Sequence, residues 1–126
     1  MGLRQKIFDS QLYRDFIQRK ATGPLRRYYD IPPADPARSV METEFIALDL
    51  ETTGLDPKRD EIVSLGWVII RQLGVDFASC EHILVRPRGE LRESSVVVHR
   101  IFDSDVADAP DIATALEHLL PQMAGR

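Results

Sequence analysis

Apolar residues in the middle of the chain form three runs that predict β-strands. The first run, FIALDL at residues 45–50, is apolar except for Asp49. The second, from Glu61 to Ile70, is apolar or small on both alternating faces, which is typical of a strand covered on both sides. A turn at Gly74 should lead into a third strand from about Val75 to Val85. Short connections between consecutive strands predict an antiparallel meander.

The N-terminal segment has helical periodicity instead. Within residues 3–20, the spacing of Phe8, Leu12 and Phe16 predicts an amphipathic helix, which Gly23 and Pro24 should end. The three prolines of residues 31–39 predict a stiff linker. We therefore expect a helical extension at residues 1–40 and a body at residues 41–126.

The C-terminal part predicts a loop followed by one helix. Residues 88–106 are expected to be mostly loop. Asp108 is a candidate N-cap with Pro110 in the first turn, and Pro121 should end or kink the helix. The predicted buried stripe consists of Ile112, Leu116, Leu119 and Met123, and His118 should be exposed.

Composition narrows the class of protein. A chain of 126 residues, 44% of them hydrophobic, can build one small domain with a modest core. Its single cysteine, Cys80, excludes an internal disulfide and fits a reducing cytoplasm. No run approaches transmembrane length, and the charged N-terminus does not have the pattern of a secretory signal. A cytoplasmic protein without membrane association is expected.

Charge is unevenly divided along the chain. Residues 1–40 contain eight Lys and Arg against four Asp and Glu, whereas residues 41–126 contain eight against sixteen. A basic arm beside an acidic body would suit an enzyme that holds a phosphate backbone, although a solvated helix face has the same composition. Cations lie next to aromatic rings at Arg26, Arg27, Tyr28 and Tyr29. This cluster could grip single-stranded nucleic acid or pack its rings on the body.

Two acids follow the first apolar run and are the main chemical signal. Side chains alternate along a strand, so Asp49 and Glu51 project from one face and can share a divalent ion. Carboxylates beside such an apolar run are costly to desolvate unless a cation or hydrogen-bond donors compensate them. The following Thr53 and Gly54 predict a turn that lets backbone approach a ligand.

The whole string FIALDLETTGL, with Asp60 and the strand after it, resembles the first motif of the DEDDh family of 3′-5′ exonucleases, which includes the proofreading subunit of bacterial DNA polymerase III. The resemblance implies the N-terminal half of a ribonuclease H-like α/β exonuclease fold: a three-stranded antiparallel meander plus a helix, here preceded by the helical extension. It makes Asp49 and Glu51 two of four metal-binding catalytic acids. The positions matching those that bind the terminal nucleotide are Thr52, Thr53, Gly54, Leu55, Val98 and His99.

The implied reaction is metal-assisted hydrolysis of a phosphodiester. Two Mg²⁺ or Mn²⁺ ions about 3.5 to 4 Å apart would share Asp49, with Glu51 holding one of them. The implied partners are a nucleic acid, notably a single-stranded DNA 3′ end, and a DNA polymerase subunit. Whether DNA or RNA is preferred stays open. One departure is Arg100, which stands where the family commonly has glycine.

The resemblance covers residues 45–124. The family's second and third motifs, with two further acids and a histidine base, are not in the chain, so we expect little activity from this polypeptide. The first strand would also be an exposed apolar edge that favours self-association.

Two other hypotheses remain open on the residues. Asp49, Glu51 and Thr53 fit the spacing of a phosphatase of the haloacid dehalogenase type, although its second acid is Asp. A non-catalytic nucleic-acid or polymerase-binding remnant is the third.

Overall fold

One antiparallel sheet of three strands organises the chain, in the order β1-β2-β3. The computed structural model describes residues 11–91 and 93–126. The strands are β1 at Phe45–Thr52, β2 at Ile62–Arg71 and β3 at Gly74–Leu84. The predicted meander is confirmed, because both strand pairs are antiparallel. The β2–β3 turn is formed by Gln72 and Leu73, both at positive φ, and Gly74 already belongs to β3.

The described residues also contain five α-helices and a short 3-10 helix at Val40–Glu42. The α-helices are α1 at Gln11–Lys20, α2 at Gly23–Asp30, α3 at Glu93–His99, α4 at Asp103–Val106 and α5 at Ile112–Met123. The predicted helix over residues 3–20 is present from Gln11, and its residues 3–10 lie outside the described part. The expected stop at Gly23 and Pro24 is a short break, since Pro24 occupies the first turn of α2. Helix α2 packs against both α1 and α5.

The core lies between the sheet and α5. Leu65, Trp67 and Val85 pack against Ala115 and Leu119, and all five side chains are buried. Ile46 on β1 contacts the same cluster, so this face of the sheet is the one opposite the Asp49 face. On the other face of β2, Ser64 is buried but Gly66, Val68 and Ile70 are half-buried. The prediction that both faces of β2 are covered is therefore wrong for most of this second face.

Helix α5 starts later than its sequence predicts. The Asp111 carboxylate accepts a hydrogen bond from the Thr114 N–H at 2.8 Å, which makes Asp111 the N-cap and leaves Asp108 and Pro110 outside the helix. The helix also continues through Pro121 to Met123. Ile112 is exposed rather than buried, and Ala115 takes its place in the core. His118 is exposed as predicted.

Residues 88–106 are not mostly loop, because they contain α3 and α4. The run of three valines in α3 is a poor helix former, so tertiary packing has to stabilise this helix. Val96 and Ile101 pack against Val63, Leu91 and Val106 in a second apolar cluster. A bulge makes this possible, since Val63 is an additional residue on β2 between the pairs Glu51–Ser64 and Thr52–Ile62.

Strand β1 forms one edge of the described sheet. Phe45, Leu48 and Leu50 are about 40% exposed, at 39%, 40% and 42%. The expected apolar edge is therefore present in the described part of the chain.

Candidate active site

Asp49 and Glu51 lie near the C-terminal end of β1, on one face of the sheet. In the β1–β2 register Asp49 is opposite Gly66 and Glu51 is opposite Ser64. Asp49 is exposed and Glu51 is half-buried. The two carboxylates are thus held side by side by a regular strand, which positions them more rigidly than a loop would.

The turn after Glu51 is built from hydrogen bonds of two threonines. The Thr52 hydroxyl donates to the Gly54 carbonyl at 2.6 Å. The Thr53 N–H donates to the Glu61 carbonyl, and Thr53 Oγ1 accepts from the Glu61 N–H, both at 2.9 Å. Both hydroxyls therefore support the turn, and Leu55 at its tip is 99% exposed.

Asp60 supports the same turn from behind. Its carboxylate accepts from the Asp56 N–H at 2.9 Å and from Thr53 Oγ1 at 3.3 Å. A Cβ atom at Gly54 would overlap the Asp60 carboxylate, so a larger residue there would have to displace the Asp60 side chain. Sequence reasoning noted Asp60 in the motif but assigned it no role. The structure shows that it holds the Thr53–Gly54 turn against β1.

Glu61 is engaged elsewhere. Arg88 Nε lies 2.6 Å from Glu61 Oε1, and the Arg88 N–H donates to Glu61 Oε2 at 3.0 Å. The hydrogen bond from the Arg88 side chain lowers the pKa of Glu61 below its ordinary value. The pair lines a cleft of about 500 Å³ between β2 and the start of α5. Because Arg88 already neutralises it, Glu61 is a poor candidate for a metal ligand.

Val98 and His99 lie at the end of α3. Val98 is 78% exposed. His99 Nδ1 accepts a hydrogen bond from the Ile101 N–H at 3.0 Å, so in the neutral ring the proton is on Nε2. This Nε2 atom is buried and has no hydrogen-bond partner among the described residues. A buried N–H donor without an acceptor is costly, and a ligand oxygen would satisfy it.

Helix α3 contacts the sheet through the second apolar cluster, which includes Val63 and Leu84. Leu84 is the β3 partner of Ser64, and Ser64 is the β2 partner of Glu51. The structure thus brings Asp49, Glu51 and the turn residues together at the end of β1, and places Val98 and His99 at the C-terminal end of α3.

Arg100, which stands where the family commonly has glycine, has an unusual backbone conformation. Arg100 ends α3 with a φ of 57°, in the left-handed region that favours glycine. Its N–H still donates to the Val96 carbonyl at 2.8 Å. An arginine at this position keeps the helix end but carries backbone strain.

The basic cluster of the extension is largely occupied by internal contacts. Arg26 Nε lies 2.8 Å from Asp30 Oδ1, and its Nη1 donates to the Gln18 carbonyl at 3.0 Å. The Tyr28 and Tyr29 rings meet edge to face at 5.1 Å, and the Arg14 guanidinium lies 5.1 Å from the Tyr29 ring centroid. Arg27 is exposed. Of the two hypotheses for this cluster, internal packing fits Arg26 and Tyr29, and Arg27 stays available to a partner.

Sequence reasoning did not find one polar pair on the carboxylate face. Ser64 Oγ and His82 Nε2 are 2.6 Å apart. Ser64 is the polar interruption in an apolar strand, which is a detectable signal. His82 has no such signal, because its position depends on the β2–β3 register.

Among the described residues, no group of three or more His, Cys, Asp or Glu side chains comes together to hold a metal ion. None of the helices in residues 11–91 and 93–126 is long and apolar enough to cross a membrane.

An antiparallel meander with a helix on one face and two strand-borne acids on the other defines a ribonuclease H-like α/β fold. The chain belongs to the exonuclease family, because the family model RNase_T, described as "Exonuclease", matches residues 46–124. The predicted family and fold class are therefore confirmed.

Two curated relatives are the PolC-type DNA polymerases III of Thermotoga maritima and Thermotoga petrophila. The first is 33% identical over 84 residues and the second 34% over 83 residues, covering 67% and 64% of this chain. The matched region is 6% of the length of each relative. Similarity to these long polymerases therefore concerns one segment of them.

Two solved structures share the fold. Exonuclease X in complex with 5′ overhanging duplex DNA has a TM-score of 0.53 and 28% identity, over 59% of this chain and 42% of that one. A full-length 3′-exonuclease has a TM-score of 0.57 and 17% identity, over 78% of this chain and 36% of that one. The chain thus spans less than half the length of either structure.

Proposed function

We propose that this chain carries the first metal-binding segment of a 3′-5′ exonuclease site of the DEDDh type. The observation that carries the proposal is the placement of Asp49 and Glu51 on one face at the end of β1, within a chain of the exonuclease family. The reaction is hydrolysis of phosphodiester bonds at nucleic-acid 3′ ends. Residues 41–126 form the exonuclease part, and residues 1–40 are an extension.

The donor set fits Mg²⁺ or Mn²⁺. Asp49 and Glu51 offer hard carboxylate oxygens on an open face, the ligands these ions prefer. When bound, such ions would supply an activated water and stabilise the leaving 3′ oxygen. Asp49 and Glu51 are the residues that would hold them, Asp49 as the shared ligand and Glu51 as a ligand of one ion.

The turn and α3 are proposed to bind the terminal nucleotide. Because the hydroxyls of Thr52 and Thr53 are used within the turn, these residues present backbone and methyl groups to substrate. Gly54 permits close approach, and the exposed Leu55 can contact the last base. Val98 offers an exposed apolar surface, and His99 Nε2–H is a ready donor to a nucleotide oxygen.

The relatives favour DNA as the substrate and a polymerase as a partner. The two curated relatives are DNA polymerases, and the structure of exonuclease X contains duplex DNA. A single-stranded 3′ end is proposed as the reacting part, since hydrolysis at a terminus requires an accessible end. Cytoplasmic location accords with such a role.

The phosphatase hypothesis fits less well. Its strand would be followed by a helix, whereas β1 is followed by the antiparallel β2. Thr53 Oγ1 also bonds to Asp60 and the Glu61 N–H, so it is not free for phosphate.

The decisive experiment measures Mn²⁺ binding by titration calorimetry. Wild type should bind Mn²⁺, because an ion relieves the repulsion between two adjacent carboxylates, and Asp49→Ala should abolish that binding. Asp108→Ala, an exposed aspartate before α5, is the matched control and should bind as wild type does. Equal binding by wild type and Asp49→Ala would overturn the assignment.

A second assay concerns catalysis by the polypeptide itself. Groups that act as a unit fail together when some are absent, and the described residues bring no third potential ligand to Asp49 and Glu51. We expect little degradation of a 3′-labelled single strand in Mn²⁺. Robust degradation that is lost in Asp49→Ala would show that two acids suffice for catalysis. The site would then not be of the four-acid DEDDh type.

A further inference from the structure

Cross-strand pairing arranges the carboxylate face in two rows. One row is Asp49, Gly66 and His82, and the next is Glu51, Ser64 and Leu84. Residues directly opposite in an antiparallel pair have Cβ atoms about 4.5–5.5 Å apart. Ser64 therefore lies beside Glu51 on the same face, and His82 lies two strands away from Asp49.

The His82 ring extends from β3 over β2 as far as Ser64. A Cβ atom at Gly66 would lie 3.8 Å from His82 Cδ2, so the imidazole is placed beside the backbone of Gly66. The ring reaches the diagonal neighbour on β2, with its Nε2 2.6 Å from Ser64 Oγ.

Ser64 is the buried member of this pair, at 3% exposure. A serine hydroxyl has one proton to donate and two lone pairs to accept with. If His82 Nε2–H donates to Ser64 Oγ, the Ser64 proton is free to be donated to the adjacent carboxylate of Glu51. The short contact to His82 then fixes the direction of the hydroxyl.

We propose that Ser64 and His82 are positioning residues for Glu51: His82 Nε2–H donates to Ser64 Oγ, and Ser64 donates to the Glu51 carboxylate. The inference rests on the proposed function, since it assigns Glu51 as the ligand that is oriented. Hydrogen bonds to a ligating carboxylate set its orientation and basicity, and losing them typically weakens metal binding about 10–100-fold.

The first test is Mn²⁺ affinity of the full chain by calorimetry. Ser64→Ala and His82→Ala should each weaken binding about tenfold. The double variant should be no weaker than either single variant, because the two side chains act in series. His82→Gln, which keeps an N–H donor, should recover part of the loss. His118→Ala, an exposed histidine on α5, is the matched control. Circular dichroism and thermal melting verify that each variant is folded.

Affinity in His82→Ala equal to that in His118→Ala would overturn the proposal. So would additive losses in the double variant, which would mean that the two residues act independently.

The second test needs no metal. In the metal-free chain, Glu51→Gln should shift the His82 ring nitrogen resonances, because the change is transmitted through Ser64. Glu117→Gln, an exposed glutamate on α5, should not. Absence of Mn²⁺ binding in wild type would refute the proposed function, and the His82 resonances would still decide the positioning pair. Unchanged resonances in Glu51→Gln refute the pair whatever the metal affinity.

Discussion

The Asp60 carboxylate fills the space that a side chain at Gly54 would occupy. Asp60 also bonds to Thr53 and to the Asp56 backbone, so one residue of the loop before β2 shapes the turn that follows Glu51. The geometry of the candidate site therefore depends on a residue outside the two carboxylates.

Gly54→Ala should destabilise the chain and weaken Mn²⁺ binding. The added methyl group must displace the Asp60 carboxylate, and overpacking of this kind costs about 1–3 kcal/mol. The control is Gly89→Ala, where a Cβ atom meets nothing within 4 Å, and its effect should be within about 0.5 kcal/mol. Chemical denaturation measures both. Equal stabilities of the two variants would show that the turn adapts freely.

Arg100→Gly should stabilise the chain. The left-handed conformation costs a non-glycine residue about 1–2 kcal/mol, and part of this gain is offset by the greater freedom of glycine in the unfolded chain, leaving about 0.5–1 kcal/mol. Arg27→Gly, at an exposed position inside α2, should destabilise by about 1 kcal/mol instead. Thermal unfolding would detect the opposite signs. Destabilisation by Arg100→Gly would mean that the Arg100 side chain makes a favourable contact that outweighs the strain.

Acid should weaken the fold partly through Glu44. A hydrogen bond from Arg71, aided by Arg126, lowers the pKa of Glu44 below its ordinary value of 4.5. A carboxyl group with a lowered folded pKa contributes stability above its ordinary pKa, and this contribution is lost as the pH falls through the lowered value. The loss should therefore begin near pH 4.5 and continue below it.

Glu44→Gln should flatten this acid limb and cost at most about 1 kcal/mol near neutral pH, because the pair is exposed to solvent. The pKa values of Glu61 and Asp111 are also lowered, by the Arg88 side chain and by the Thr114 N–H, so some dependence should remain. Glu117→Gln is the matched control. An acid limb in Glu44→Gln as steep as in the control would show that Glu44 does not contribute to the acid dependence.

The extension is expected to contact phosphates through Arg27. If so, log–log plots of single-strand affinity against salt should lose about one unit of slope in Arg27→Ala, and deletion of residues 1–39 should flatten them further. Arg26→Ala should leave the slope unchanged, because Arg26 is paired with Asp30. Slopes that survive the deletion would assign the extension a structural role.

The apolar edge at β1 should promote self-association. A lysine on an edge strand opposes strand pairing between chains, so Ala47→Lys should shift sedimentation toward the monomer. Ala113→Lys adds the same charge at an exposed position of α5 and should leave the distribution of monomers and oligomers as in wild type. A wild-type chain that is monomeric at high concentration would contradict the expectation.

Local pattern was sufficient for the strands and the family. Apolar runs and short connections specify an antiparallel meander, since side-chain alternation and turn length act over a few residues. The pair Asp49 and Glu51 has an alternation that places both on one face in any regular strand. Gly54 and Asp60 belong to the motif that resembles the family, and this resemblance does not depend on their contact.

Other features depend on partners far apart in the chain. The valines of α3 have a local preference for strand. They lie in a helix, and Val96 packs on the cluster that contains Val63 at the β2 bulge. From the sequence, Arg26 is an unpaired cation. In the structure, the turn between α1 and α2 brings its guanidinium to the Gln18 carbonyl.

The sequence by itself determined that two carboxylates end an apolar strand of an exonuclease-family chain. The tertiary structure alone decided which polar side chains meet: Asp60 lies behind the turn, His82 lies against Ser64, and His99 Nε2 is buried with no hydrogen-bond partner among the described residues. The physical reason is that strand register and helix docking are set by the burial of many side chains together. That packing determines which neighbours a polar side chain contacts.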